Sequence, residues 1–161
     1  LTIADGRANS PEYGGGGIYV SGGAVLNLDR CAVRNSKAYG IYDNYTGYGG
    51  GLLVNASRAN ITNTTFSGNW AQVSGGGVAD WSGAVISISH STIVTNTGLH
   101  TTTGSGGLYL YDGRASIRNT ILAGNAGVPI TNANYFVESG GRLTTQGYNL
   151  SDSAPVTATA T

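Results

Sequence analysis

Acidic side chains are the first candidates for chemistry, because paired carboxylates can cleave glycosidic bonds and clustered carboxylates can bind Ca²⁺. The 161 residues include eight acids: Asp5, Glu12, Asp29, Asp43, Asp80, Asp112, Glu138 and Asp152. When the repeats described below are aligned, these acids fall in different columns. The nearest pair, Asp80 and Asp112, is offset by two residues along the strand. We therefore predict no catalytic residues and no enzymatic activity; a polysaccharide lyase or hydrolase is the alternative.

Asp80 stands in a column that is otherwise apolar. Burying a carboxylate without a partner would cost several kcal/mol or raise its pKa. We expect Asp80 to lie at a strand end, where its side chain turns outward or caps a bend; a functional acid is the alternative. We expect His90 to be a solvated face residue, while His100 falls in a loop with no second ligand nearby. The sequence thus predicts neither a metal site nor a cofactor.

Glycine runs recur along the chain. They mark the repeated elements that would have to position any catalytic or metal-binding side chains. They precede Ile18, Leu52, Val78 and Leu108, which are 34, 26 and 30 residues apart. Self-similarity at such a period is typical of coiled repeat architectures. No Lys-Ser/Thr pair or predicted helix follows these runs, so they do not indicate phosphate-binding loops.

Apolar residues alternate with polar ones inside each repeat, which is the period of a β-strand. Ile86 and Ile88, for example, precede Ile93 by seven and five residues, and the other repeats keep these offsets. No window shows apolar residues sustained at helical spacing. The sequence therefore predicts an all-β fold, a parallel β-solenoid of about four to five coils.

Two polar columns follow from the same alignment. Asparagine or serine falls three residues after the inner apolar column, at Ser36, Asn69, Asn96 and Asn125. We expect these residues to form a ladder of hydrogen bonds from coil to coil. Small residues align at Cys31, Thr64, Ser91 and Thr120. We expect the lone cysteine to be a small buried filler there rather than a reactive thiol.

Length and composition indicate one domain with an uncharged polar surface. We assign residues 1–150 to a single solenoid and 151–161 to a C-terminal tail that is extended or pairs with a neighbour. Eight basic residues balance eight acids, and charged residues make up 10% of the chain. Because these charges are scattered singly along the sequence, we predict no nucleic-acid partner, and the chain lacks an apolar run long enough to span a membrane. The polar composition favours an extracellular or cell-surface location.

Phe66-Ser67-Gly68-Asn69, placed between two Gly-Gly-Gly-aliphatic runs, resembles the repeats of chlamydial polymorphic outer-membrane proteins. More broadly, about residues 1–150 resemble the pectate-lyase-like, right-handed parallel β-helix regions of bacterial surface proteins. The resemblance implies a right-handed β-helix in a secreted passenger, adhesin or surface-structure element. Other repeats replace the aromatic residue by an aliphatic one, as in Ile93-Val94-Thr95-Asn96.

Aromatic residues supply the candidate binding surface. The extra residues of the longer repeats all insert at one corner, over 39–48, 98–104 and 126–139, and such an edge is often the binding face of a solenoid. The first insert is rich in tyrosine, while a tryptophan and a tyrosine share one column on adjacent coils, with a second tyrosine two residues away. The candidate residues are Tyr39, Tyr42, Asp43, Tyr45, Tyr48, Trp81, Tyr109 and Tyr111. They could bind a glycan or a host or cell-surface ligand, or simply pack over the solenoid edge.

The ends of the predicted solenoid are a second candidate surface. An uncovered end exposes strand edges and an apolar column, and no amphipathic cap precedes Ile3. We expect the chain either to continue in a longer protein or to associate end to end. The leading hypothesis is a non-enzymatic extracellular structural or adhesive solenoid that self-associates into a surface fibre. The alternative is a carbohydrate-active or carbohydrate-binding β-helix domain.

Overall fold

The computed structural model describes residues 1–9, 14–40, 46–128, 133–138 and 140–152. Within these residues the regular secondary structure consists of strands alone. All strand pairs are parallel, and the strands form four sheets around a common core. The predicted all-β parallel solenoid is confirmed, with about five turns.

In each turn the chain passes through sheet A and then through sheet B. Sheet A has six strands: β1 Thr2–Ala4, β5 Ala32–Arg34, β9 Thr65–Ser67, β13 Thr92–Val94, β17 Ile121–Ala123 and β20 Leu150–Ser151. Sheet B has four short strands: β2 Arg7–Ala8, β6 Lys37–Ala38, β10 Trp70–Ala71 and β14 Thr97–Gly98. The last strand of sheet A includes the first residue of the predicted tail, while residues 153–161 lie outside the described part of the chain.

Sheets C and D complete each turn. Sheet C has five strands: β3 Ile18–Val20, β7 Leu52–Asn55, β11 Val78–Trp81, β15 Leu108–Leu110 and β18 Tyr135–Val137. Sheet D also has five: β4 Val25–Asp29, β8 Arg58–Thr62, β12 Val85–Ser89, β16 Arg114–Arg118 and β19 Arg142–Thr145. Residues 46–48 and 99–104 lie between sheets B and C, at the corner that the sequence predicts. The third predicted insert, 126–139, is wrong in part, because it contains β18, which is a strand of sheet C.

The interior is a stack of apolar side chains in register. On sheet A, Phe66 pairs with Val33 in one neighbouring strand and with Ile93 in the other. All three side chains are buried and belong to one apolar cluster that runs through the solenoid. This stacking confirms the predicted inner column and its register.

The glycine runs lie where neighbouring turns come closest. A Cβ atom at Gly50 would lie 2.6 Å from the Gly76 carbonyl oxygen, and one at Gly76 would lie 2.7 Å from the Gly106 oxygen. Gly75, with φ of +66°, occupies the left-handed region that glycine adopts most easily. Glycine recurs because this corner both bends and packs backbone against backbone.

The asparagine ladder follows sheet A as predicted. Asn96 Oδ1 accepts hydrogen bonds from the backbone N–H and the Nδ2 of Asn69, each at 2.9 Å. Asn96 Nδ2 donates to the Phe66 carbonyl at 3.1 Å and to Asn125 Oδ1 at 3.0 Å. The side chain is fully buried and all its polar groups are used. The structure adds a rung that the alignment misses, because Asn125 Nδ2 donates to Asn134 Oδ1 at 2.9 Å.

Small hydroxyl residues form a second ladder at the turn between sheets D and A. The Thr64 N–H donates to Ser91 Oγ at 3.1 Å, and the Thr64 hydroxyl donates to the Thr62 carbonyl at 2.8 Å. Cys31 occupies this column as expected, and its Sγ lies 3.2 Å from the Asp29 carbonyl oxygen. The cysteine is only half-buried, however, because it lies in the first of these turns, between β4 and β5.

Candidate functional site

The outer face of sheet C carries the candidate site. Along each strand of this sheet, residues alternate between the interior and the outer face. The outward positions Leu53, Ala79, Tyr109 and Phe136 are neighbours on successive strands. Phe136 and Tyr109 stack with centroids 6.3 Å apart and an interplanar angle of 7°. An apolar column therefore runs along the outside of the solenoid.

Residues from the inserted corner cover this column. Tyr48 and Val73 pack on it and form a second, smaller apolar cluster. The Tyr48 ring lies 5.2 Å from Tyr109 in a stacked arrangement and 5.0 Å from Trp81 in a tilted one. The insert thus folds back over sheet C and fixes its aromatic residues in place.

Trp81 and Tyr111 form the exposed wall of the cluster. Their rings stack with centroids 4.2 Å apart and an interplanar angle of 11°. Trp81 is half-buried and Tyr111 is 40% exposed. Because the rings cover one another, the wall offers solvent their edges and outer surfaces.

A groove of about 470 Å³ runs beside this wall. We call it the aromatic groove; its lining residues are Tyr48, Trp81, His100, Thr102, Thr103, Tyr109, Tyr111 and Glu138. The lining combines aromatic rings with hydroxyl, imidazole and carboxylate groups. Apolar walls with a few convergent polar groups are characteristic of small-ligand sites.

His100 organises the loop on the polar side. Its Nδ1 accepts a hydrogen bond from the Thr103 backbone N–H at 3.3 Å and lies 2.9 Å from Thr103 Oγ1. Because a backbone N–H can only donate, Nδ1 carries no proton in this arrangement and the hydrogen of the neutral ring is on Nε2. The loop is also held to the preceding turn, where the His100 N–H donates to the Val73 carbonyl at 2.9 Å.

Glu138 and Tyr109 connect the polar and aromatic sides. The Tyr109 hydroxyl donates to Glu138 Oε1 at 3.2 Å. Burial of Tyr109 raises the pKa of its phenol well above the ordinary range. Tyr109 therefore remains a hydrogen-bond donor, and Glu138 is oriented by a ring that itself packs in the cluster.

Asp80 lies beneath the exposed wall and points into the solenoid. It is 0% exposed, so its side chain does not turn outward. The other form of the expectation is confirmed, because Asp80 Oδ1 accepts the Tyr111 N–H at 2.6 Å and so caps the bend that begins at Tyr111 in the next turn of the solenoid. A Cβ at Gly113 would collide with Oδ2, which explains the glycine there. Burial raises the pKa of Asp80 to about 7, while the Tyr111 N–H works against this shift.

The structure brings together four of the eight predicted binding residues: Tyr48, Trp81, Tyr109 and Tyr111. Tyr109 faces outward as expected for an aromatic strip but is covered by the insert. Tyr39 lies elsewhere, with its ring 4.9 Å from Trp70 and under the Arg7 guanidinium at 4.4 Å.

The other three predicted binding residues, Tyr42, Asp43 and Tyr45, lie outside the described part of the chain. The described chain stops at Gly40 and resumes at Thr46. The backbones at these two points lie so close that a Cβ at Gly40 would collide with the Thr46 carbonyl.

Sequence alignment missed His100 and Glu138 as members of the site. His100 lies in an inserted segment, so the confinement of inserts to one corner could have found it. Glu138 directly follows β18, where Val137 pairs with Leu110, so placing this strand correctly in the repeat would have put Glu138 beside Tyr111. His90, by contrast, is solvent-exposed as expected, and its Nε2 contacts Asn119 Nδ2 at 2.7 Å.

The groove geometry is not matched by a known relative. No protein-family model, curated protein or solved structure matches this chain. The resemblance to polymorphic outer-membrane repeats therefore stays a prediction, and the groove must be interpreted from its own residues.

The described residues contain no group of three or more histidine, cysteine, aspartate or glutamate side chains placed to hold a metal ion. Nor do they contain a helix with the length and apolar character needed to cross a membrane.

Proposed function

We propose that this chain is a non-catalytic, extracellular adhesive β-solenoid whose aromatic groove binds a carbohydrate. The observation that carries the proposal is the groove itself, a space of about 470 Å³ lined by the stacked Trp81–Tyr111 wall together with polar groups. Aromatic rings provide flat apolar contact area for the C–H faces of a sugar, and they lose little conformational entropy on binding.

The polar side suits the hydroxyl groups of a sugar. Glu138 supplies carboxylate oxygens that accept hydrogen bonds, while Thr102 and Thr103 supply hydroxyls that can donate or accept. The ligand contacts are therefore a few oriented hydrogen bonds beside an apolar wall. A neutral oligosaccharide fits this combination better than a purely apolar ligand, which would leave the carboxylate buried without solvent.

The acidic groups of the groove favour binding over hydrolysis. Its lining contributes one carboxylate, Glu138, and the usual glycoside hydrolases use a pair. Asp80, the nearest candidate along the strand, faces the interior and is occupied in capping the bend at Tyr111.

An extracellular location is part of the proposal because charged residues make up only 10% of the chain. Ordinary globular domains carry about 25%. The resemblance to polymorphic outer-membrane repeats supports the same location and suggests a host or cell-surface glycan as the ligand.

Tryptophan fluorescence provides the test. With Trp70→Phe as background, Trp81 is the one remaining tryptophan. We expect neutral oligosaccharides from a panel of glucose, galactose, mannose and N-acetylglucosamine polymers to change its emission. Tyr111→Ala should weaken binding at least tenfold, whereas Tyr148→Ala, at an 87% exposed position between sheets D and A, should leave affinity unchanged.

Two outcomes would contradict this function. If no sugar in the panel changes the emission, or if Tyr111→Ala and Tyr148→Ala bind alike, the groove is not the carbohydrate site. Release of new reducing ends from a bound oligosaccharide would overturn the non-catalytic part alone.

End-to-end association is a second candidate function, favoured by the strand edges. Within the described residues, β1 and β20 each have a single strand neighbour, and Leu150 on β20 is 63% exposed. Sedimentation velocity should show larger species as concentration rises, and Leu150→Lys should suppress them because a charge blocks edge pairing. A single monomeric species at all concentrations would refute this candidate.

A further inference from the structure

The outer face of sheet D gathers arginines that are distant in sequence. Arg114 and Arg142 are direct neighbours on adjacent strands. Arg118 lies on the same strand as Arg114, and Arg58 lies on the same column two strands away. All four side chains are exposed. Half of the eight basic residues of the chain therefore share one face, although the sequence scatters them singly.

These arginines have no acidic partner among the described residues. The single ion pair there joins Arg30 to Asp29 at 2.9 Å. Asp29 is the one acid among the outward positions of sheet D, and it lies on β4, at the opposite edge from Arg142. With strands roughly 4.8 Å apart, Arg114 and Arg142 hold two positive charges side by side. Such a pair repels itself in the free protein and is stabilised by an anion that both can contact.

The neighbouring column supplies neutral hydrogen-bonding groups. Asn60, Ser87, Ser116 and Thr144 follow one another across the strands, next to the arginine column. The face thus alternates charged groups with hydroxyls and an amide. This combination matches a polymer that carries both acidic groups and hydroxyls.

A depression at Arg58 extends the same face. It encloses about 290 Å³ and is lined by Ser57, Arg58 and the exposed side chains of Val25 and Val85, among others. Ser57 is 8% exposed, and its buried Oγ has no hydrogen-bond partner. A buried hydroxyl without a partner costs free energy unless a ligand or solvent satisfies it.

We propose that the outer face of sheet D binds an anionic polysaccharide through its carboxylate or sulfate groups. Arg114 and Arg142 contact one acidic group together, Arg58 and Ser57 receive a second in the depression, and the serine-threonine column hydrogen-bonds the hydroxyls between them. This surface is separate from the aromatic groove on sheet C.

A polysaccharide fits this face better than the other common polyanions. The outward positions of sheet D include no aromatic residue on which bases could stack, and stacking is a major part of single-strand nucleic-acid binding. The two exposed valines flank a depression and form no continuous apolar stripe that could enter a lipid interface.

Calorimetric titration with defined oligomers tests the proposal. The probes are a heparin octasaccharide for sulfate, an octagalacturonate for carboxylate, a neutral dextran oligomer and single-stranded DNA. We expect one or both acidic sugars to bind, with affinity that falls as salt rises. Any dextran binding belongs to the aromatic groove, so replacing Arg114 and Arg142 should leave it unchanged. Whichever acidic sugar binds more tightly identifies the acidic group.

Charge-matched variants locate the site. Arg114→Gln/Arg142→Gln should weaken the acidic sugar at least tenfold. Arg34→Gln/Lys37→Gln removes the same charge from exposed positions outside sheet D and should change affinity less than twofold. Ser57→Ala should weaken binding about threefold, and thermal unfolding should show all variants folded.

Several results would overturn the proposal. Equal losses in the two double variants would mean that only net charge matters, and absence of binding by both acidic sugars at low salt would remove the ligand class. Tighter binding of DNA than of either sugar would assign the face to nucleic acid. Tyr111→Ala should leave this binding intact; a matching loss there would show that the two surfaces are not separate.

Discussion

The asparagine ladder and the outer face of sheet C belong to the same turns of the solenoid, but the ladder repeats one residue type from turn to turn whereas the outer face does not. In the ladder the same side chain recurs and each amide hydrogen-bonds the next, at Asn69, Asn96 and Asn125. On sheet C, Leu53, Ala79 and Tyr109 vary at one position, and a carboxylate occupies an otherwise apolar column. Repeated residues stabilise the stack, whereas departures from the repeat build the groove.

Phe66→Ala should have the largest effect on stability. It tests whether the repeated inner column stabilises the stack. Phe66 is fully buried between Val33 and Ile93, so truncation leaves a cavity in the column. We expect a loss of about 3 to 5 kcal/mol in the free energy of unfolding, measured in urea. Ile121→Ala, at a 40% exposed position of the same sheet, should change it by about 0.5 kcal/mol. A neutral Phe66→Ala would mean that stability does not reside in the inner column.

Asp80→Asn tests a residue of sheet C that departs from the repeat. The pKa of Asp80 is raised from 3.8 to about 7 by burial. Between these two values the folded protein binds more protons than the unfolded chain, so stability falls as the pH rises through this window. The loss amounts to roughly 4 kcal/mol over the full window and is complete above the folded-state pKa.

Urea unfolding at pH 4 and pH 8 measures this difference. The wild type should lose stability between the two pH values relative to Asp80→Asn, which keeps an oxygen to accept the Tyr111 N–H and carries no charge. The variant should then be the more stable protein at pH 8. Parallel pH profiles would show that Asp80 is not the titrating group.

Asn96→Ala tests how much the asparagine ladder contributes to stability. The change removes both acceptor bonds to Asn69 and the two bonds that Asn96 Nδ2 donates. Because the remaining polar groups stay buried, we expect a loss of about 2 to 3 kcal/mol. Asn60→Ala removes an exposed hydrogen bond to Asn27 and should cost about 0.5 kcal/mol or less. Equal effects at the two sites would mean that burial of the ladder contributes nothing.

Much of the fold could be predicted because similar residue types recur at the same positions of each repeat. The apolar alternation before Ile93 and the asparagines three residues after each inner residue identify the strands, their register and the ladder. The extra rung at Asn134 could not be predicted, since it comes nine residues after Asn125 from the residue before β18, a position where the earlier turns carry glycine.

The site could be predicted only in part, because its members meet through space. Trp81 and Tyr111 stack along a column that the alignment identifies. The inward orientation of Asp80 depends on a backbone donor in the next turn, which no residue type reveals. The arginines of sheet D are likewise separated by whole turns in sequence and become neighbours only when the sheet forms.

The close approach of Gly40 and Thr46 makes the length of the segment between them largely independent of the solenoid. A loop whose two ends already meet can be lengthened or exchanged at a small entropic cost, which grows only with the logarithm of its length. The turns on either side need not adjust, because the strands continue from points fixed by their own neighbours. Peptides of different length could therefore be inserted between Gly40 and Thr46 without disturbing the strands on either side.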